Sequence, residues 1–291
     1  MRLATVTVSG NEKLSVCMKK GLILMEEINS RIGVAWPEHM AELIKEEQLA
    51  PLNQWYKEEG EKRIETWTNT VLTEGAIQYA PLYRTPPKIW GIGLNYAAHA
   101  EDLSERAPTE LPASFMKPTT TVIGYGDDIQ LPRLSQKTTA EAELGVVIGK
   151  CCKDVPKEHW LDYVAGFTTI IDMTAEDILR QNPRYLTVSK SFDTFFSFGP
   201  QLITPDEIED VYTLKVATVI NGRVHAENTV NHMTFPPDEL VSFHSKVMTL
   251  VPGDVISTGT PGATAINDGD EISCIISGFE PLRNRVVDLK K

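Results

Sequence analysis

The stretch Thr138-Thr-Ala-Glu-Ala-Glu-Leu-Gly-Val-Val-Ile-Gly149 opens with two carboxylates and runs into apolar residues. An extended backbone sends alternate side chains to opposite faces. Glu141 and Glu143 therefore project side by side, and Leu144 and Val146 point the other way into packing. Adjacent carboxylates repel each other and favour a cation between them. A second apolar run, Val164 to Ile171, ends in Asp172, a candidate third ligand. Three oxygen ligands with water in the remaining positions suit Mg²⁺ or Mn²⁺. Spacing alone leaves another reading open, because a Glu-x-Glu at a strand start is more often a solvated edge and a strand-terminal Asp more often a cap. His99 and Asp102 are three apart in Asn95-Tyr-Ala-Ala-His-Ala-Glu-Asp102, so on a helical turn they share a face. A carboxylate that orients an imidazole makes a general base near neutral pH, although such pairs are more often superficial. Ser257-Thr-Gly-Thr-Pro-Gly262 carries hydroxyls and backbone N–H groups that could cradle an oxyanion, or could be an ordinary turn.

These residues need elements to hold them. Short β-type runs follow Lys88, at 88–93, 143–148, 166–171, 214–220 and 254–258, with helical stretches expected at 95–103, 157–163 and 174–181. Regular βαβ alternation is missing, so the expected class is α+β, mainly β. The first 80 residues read as a small N-terminal α+β subdomain. Met1 to Val8 alternates like a strand, and 37–72 is rich in helix formers, with helical spacing at Met40, Leu43, Ile44 and Leu49. Pro51 is expected to break this into two helices and to start the second. Residues 81–87, at the end of the proline-rich run from Tyr79, serve as linker to a catalytic domain over 88–291.

A net charge of −12 argues against nucleic-acid backbone and anionic membrane partners. Cys17, Cys151, Cys152 and Cys274 match no zinc spacing and make a poor disulfide framework, which suits a reducing compartment. No stretch approaches the roughly 20 apolar residues that span a bilayer, and no apolar core follows Arg2 as in a signal peptide. A cytoplasmic location is expected. Gly91-x-Gly93 resembles the start of a dinucleotide loop, but the third glycine and long helix are absent.

From Lys88 onward the chain resembles the fumarylacetoacetate hydrolase family through eight stretches in order. They are Gly91-Ile-Gly-Leu-Asn-Tyr-Ala-Ala-His99, Phe115-Met-Lys-Pro118, Glu141-Ala-Glu-Leu144, Gly166 through Asp172-Met-Thr-Ala175, Lys190-Ser-Phe-Asp-Thr194, Gly199-Pro200, Asn221-Gly222, and Leu250 through Gly262. The resemblance implies a mixed β-roll or β-sandwich, usually as a homodimer. It implies Mg²⁺, Mn²⁺ or Ca²⁺ on Glu141, Glu143 and Asp172, and a catalytic role for Lys190. His99 matches the base of a His–Glu dyad whose acid falls here on Asp102, one methylene shorter, with Glu101 the alternative. Tyr96, Lys117, Gly259 and Thr260 are the implied substrate contacts. Where many relatives carry an arginine this chain has Glu176, so that contact does not carry over, and Arg180 and Arg184 are the nearby replacements. His225 falls where relatives often have a glutamine. The implied activity is metal-assisted chemistry on a 2-oxo or β-diketo acid through an enolate. Hydrolytic C–C cleavage of an acylpyruvate-like substrate is the first expectation. An isomerase or decarboxylase of hydroxymuconate-type intermediates in aromatic catabolism is the alternative, and a catalytically silent dicarboxylate-binding protein is the remote one.

Overall fold

The computed structural model describes residues 1–67, 71–72, 77–97 and 108–291. Strands dominate, as β-branched runs punctuated by Gly and Pro lead one to expect. The first 80 residues give β1 (Arg2–Val8), β2 (Asn11–Met18) and β3 (Gly21–Leu24). Among the described residues α1 (Met25–Ile32), α2 (Met40–Lys45), α3 (Leu49–Trp55) and α4 (Glu61–Glu65) follow, with a π-helical turn at Tyr56–Gly60 between the last two. Beyond Lys88 come β4 (Ile89–Gly93), β5 (Ala113–Met116), β6 (Val122–Ile123), β7 (Asp128–Leu131), β8 (Thr138–Ile148) and β9 (Val164–Ala175). Helices α5 (Glu176–Gln181) and α6 (Leu186–Lys190) lead into β10 (Phe196–Ile203), β11 (Lys215–Ile220) and β12 (Arg223–Thr229). Helix α7 (Pro237–Val247) precedes β13 (Val255–Ser257), β14 (Thr264–Ala265), β15 (Glu271–Ile276) and β16 (Leu282–Asp288). The expected α+β, mainly β class is observed.

Two sheets carry the fold. The larger runs β3-β2-β1-β10-β9-β8-β13-β4-β5, with β14 on β8 and β6 on β10; the smaller runs β12-β11-β15-β16-β7. Every residue of β8 and β9 is buried, so both faces of the central ladder are covered. On one face Ala142, Leu144 and Val146 of β8 and Ile171 of β9 join Val216, Ile272 and Cys274 of the smaller sheet and Leu240 of α7 in one core. On the other, Val147, Ile170, Phe196 and Phe198 join Leu3, Val16, Leu43 and Leu52 of the N-terminal segment. That segment is tied in by backbone as well, because β1 pairs antiparallel with β10, Leu3 opposite Leu202. The first 80 residues thus extend the large sheet at one edge and cap one of its faces.

Several local expectations shift by a few residues. The break between α2 and α3 falls at Glu46 to Gln48, where Glu47 takes φ +54°, and Pro51 sits in the first turn of α3, where its missing N–H costs nothing. Leu72 is not helical; it bridges to Leu22. The proline-rich connector is pinned to the sheet: Thr5 Oγ1 donates to Leu82 O at 2.7 Å, and Tyr83 Oη donates to Gly253 O at 2.9 Å. At Gly124 a Cβ would strike the Pro81 backbone of this connector, so only glycine fits.

Candidate metal centre

The antiparallel register of β8 and β9 sets Glu141 opposite Asp172 and Glu143 opposite Ile170. Directly opposed residues share a face, with Cβ atoms about 5 Å apart. One oxygen from each of Glu141, Glu143 and Asp172 lies within 4.8 Å of the others, and all three residues are buried. The apolar run read from the sequence ends at Asp172. In fact β9 continues to Ala175, because Met173 and Ala175 still have core to fill. Asp172 therefore reaches Glu141 through strand pairing. For the same reason Thr174 and Ala175 are strand, and α5 begins only at Glu176.

Two lysines close the cluster. Lys190, the last residue of α6, places Nζ 2.6 Å from Asp172 Oδ2 and 3.0 Å from Glu141 Oε2. Lys117, just beyond β5, donates to Asp172 Oδ1, and to Met173 O at 3.2 Å. The Phe115 ring lies 4.7 Å from Lys190 Nζ, close enough for cation–π attraction. That ring has room because residue 91 is glycine, where a Cβ would run into it. Thr174 Oγ1 donates to Glu141 Oε1 at 2.8 Å. Ser257 Oγ and Gly259 N–H both donate to Glu143 Oε2, at 2.5 and 2.8 Å.

Three buried carboxylates against two ammoniums leave an excess of negative charge, and its effect concentrates on Glu143. Burial first, then repulsion from Asp172 and Glu141, pushes its carboxyl from 4.5 up to about 8. Burial also opposes the charge on Asp172, but Lys117 and Lys190 outweigh it and hold this carboxyl below its ordinary range. Burial lowers Lys117 to about 8 despite attraction to Asp172. Lys190 is opposed by burial too, yet Asp172 and Glu141 hold it above the usual lysine value. A cluster of hard oxygen donors that keeps a proton for want of positive charge fits a divalent cation, which replaces that proton.

A pH dependence follows. Below pH 4.5 folded and unfolded chains both carry the Glu143 proton; between 4.5 and about 8 only the folded chain does. The stability tied to this proton is therefore complete below 4.5 and lost as pH rises through about 8. Thermal unfolding of chelator-treated protein from about pH 5 to about pH 8 is expected to show this fall, and Glu143→Gln to flatten it. An unchanged slope in the variant contradicts the assignment.

The other expected site residues are placed as follows. Tyr96 is fully buried in the core between the sheets, and its hydroxyl has no hydrogen-bond partner among the described residues. Burial and the nearby Glu143 push its phenol up. Thr260 is buried in the turn after β13, where its hydroxyl donates to Gly262 O at 3.1 Å and accepts from Gly262 N–H at 3.2 Å. The Gly259 N–H goes to Glu143. Glu176 pairs with Arg180 and Lys137, each at 2.6 Å. Arg184 and His225 are exposed. His99, Asp102 and Glu101 lie outside the described residues. Thr174, Ser257 and Phe115 bear on the site without having been assigned a role from sequence. The available signal for Thr174 was its i+2 spacing from Asp172, which puts both on one strand face.

Comparisons with known proteins identify what the chain is similar to. Residues 88–287 match the family model described as fumarylacetoacetate hydrolase, C-terminal. A mitochondrial oxaloacetate tautomerase, Fahd2a of Rattus norvegicus, is 36% identical over 216 residues, 72% of this chain and 68% of that protein. The crystal structure of a 5-carboxymethyl-2-hydroxymuconate delta-isomerase from Mycobacterium smegmatis superposes with a TM-score of 0.76 at 30% identity, covering all of both chains. A maleylpyruvate hydrolase from Sphingobium sp. SYK-6, in complex with manganese(II) and pyruvate, gives a TM-score of 0.80 at 26% identity over 99% of each chain. Among the described residues no helix is long and apolar enough to cross a membrane.

Proposed function

The chain belongs to the fumarylacetoacetate hydrolase family, and from that premise we propose that it is a divalent-cation-dependent enzyme that moves a proton on a 2-oxo acid, interconverting its keto and enol forms. The family's members named above are enzymes, a tautomerase, an isomerase and a hydrolase. The observation that carries the reading is the buried face shared by Glu141, Glu143 and Asp172 with Lys190 against it. Glu141, Glu143 and Asp172 would hold Mg²⁺ or Mn²⁺. Bound there, the cation supplies Lewis-acid polarisation of a chelating 2-oxo acid.

The remaining work falls to the chain's own side chains. Lys190 presents an ammonium where a substrate oxygen gains negative charge. The Phe115 ring packs against that ammonium. Lys117 balances Asp172 from the far side and is a second candidate substrate contact. Thr260 and Tyr96 stand as further candidates. His99, oriented by Asp102 or Glu101, is the proposed base: it takes a proton from the carbon beside the 2-oxo group and returns it to the oxygen. Homodimer formation in the cytoplasm belongs to the same reading.

The family resemblance puts C–C hydrolysis first; proton transfer is preferred here because the named tautomerase and isomerase are more similar in sequence than the named hydrolase. Hydrolysis remains the second reading, favoured by the manganese- and pyruvate-bound neighbour. An assay of oxaloacetate enol–keto interconversion, acylpyruvate cleavage and hydroxymuconate-type diene isomerisation, with and without Mn²⁺ or Mg²⁺, tests both. Cation-dependent oxaloacetate tautomerisation faster than acylpyruvate cleavage is expected. The reverse order favours the hydrolase. Binding without any turnover favours a silent binding protein.

A further inference from the structure

The three carboxylates are not held alike. Asp172 receives Lys117 on one oxygen and Lys190 on the other. Glu141 is likewise split, with Thr174 on Oε1 at 2.8 Å and Lys190 on Oε2 at 3.0 Å. Among the described residues Glu143 takes both of its donors on a single oxygen, Ser257 Oγ at 2.5 Å and Gly259 N–H at 2.8 Å on Oε2. A carboxylate oxygen offers two lone-pair directions. Oε2 is therefore filled, and Oε1 is the oxygen left free to take a cation.

The backbone enforces this. Ser257 in β13 pairs with Gly145, two residues along β8 from Glu143, so the hydroxyl comes from the adjacent strand on the same face. Gly259 takes φ +96°, and a Cβ there would lie 2.7 Å from Asn95 Cβ and 3.0 Å from Ile92 O. Only glycine lets the turn deliver that N–H. Ser257 has no solvent exposure, so bulk water does not stand in for its hydroxyl.

We propose that Ser257, together with the Gly259 N–H, is a positioning residue that confines Glu143 to contact through one oxygen and so sets the site's preference for a small cation such as Mg²⁺ or Mn²⁺ over Ca²⁺. Ca²⁺ takes about 6–8 oxygens and often grips a carboxylate through both, whereas Mg²⁺ takes single oxygens and keeps several waters. Thr174 acts similarly but more weakly on Glu141, where it occupies one oxygen with one bond. The inference rests on the triad being a cation site.

Calorimetric titration of Mn²⁺ and of Ca²⁺ into chelator-stripped full-length protein tests it without any assay of turnover. Wild type is expected to prefer Mn²⁺. Ser257→Ala is expected to lose about 10- to 100-fold in Mn²⁺ affinity while Ca²⁺ affinity falls less or rises, so the Mn²⁺/Ca²⁺ ratio shrinks. Thr174→Val shifts the ratio in the same direction by a smaller factor, and Thr174→Ser restores it. An unchanged ratio in a folded Ser257→Ala protein, or equal losses for both ions, overturns the proposal. Failure of the wild type to bind Mn²⁺ at all overturns the cation site itself, a separate and prior failure.

Discussion

Asp172→Asn is expected to lower the stability of the cation-free protein by about 3–5 kcal/mol, the range seen when one partner of a buried ion pair is removed. Asp172 has no solvent exposure and accepts from both Lys117 and Lys190. With the charge gone, the amide oxygen can accept from one lysine but its NH₂ faces the other, and Lys117, whose side chain has no exposure, loses its carboxylate partner. An uncompensated ammonium there is costly, and burial already lowers this lysine to about 8 with Asp172 present. Glu143→Gln makes the contrasting case. Burial and repulsion from Asp172 and Glu141 push Glu143 up towards its neutral form, so an uncharged isostere costs less there. Both variants are expected to lose cation binding, yet only Asp172→Asn loses stability. Denaturant unfolding in the presence of a chelator, followed by Mn²⁺ titration, separates these effects. Equal stability of the two variants contradicts the charge arrangement.

Lys190→Met is expected to reduce kcat by about 10²–10³, the cost of removing a donor aimed at developing charge, while Mn²⁺ binding is retained or strengthened. Lys190 shares Glu141 and Asp172 with the expected cation. Removing an ammonium from beside three carboxylates raises their attraction for any other positive charge. Methionine fills a similar volume against the Phe115 ring, so packing there survives. Steady-state kinetics with whichever 2-oxo acid turns over, paired with Mn²⁺ titration, is the check. Loss of Mn²⁺ binding with activity would make Lys190 a support for the ligands only. Unchanged kcat would remove it from the chemistry.

Legibility in the sequence depended on how local each feature was. Glu141 and Glu143 needed only the two-residue strand period. The helices around Met40, Leu43, Ile44 and Leu49 needed only helical spacing, and these residues are indeed buried. Asp172 was identified, but not how it reaches the glutamates. Its partner depends on β8–β9 register, and uniformly buried strands carry no alternation from which register could be read. The joining of β1 to β10 was hidden for a related reason, since some 200 residues separate Leu3 from Leu202. Ser257 and Thr174 fared likewise. Their hydroxyls stand in the sequence, yet only the strand neighbours say that the acceptors are Glu143 and Glu141. Lys190 rested on its likeness to a family motif, because nothing in its local spacing ties it to residues 18 and 49 positions away.

The central claim is that Glu141, Glu143 and Asp172 hold one divalent cation on which turnover depends. Its most direct test is calorimetric titration of Mn²⁺ into chelator-stripped wild type and into the Glu141→Ala/Glu143→Ala double variant, each confirmed as folded. Saturable binding of one ion per chain in the wild type and none in the variant is the expected result. Equal binding by both proteins would contradict it.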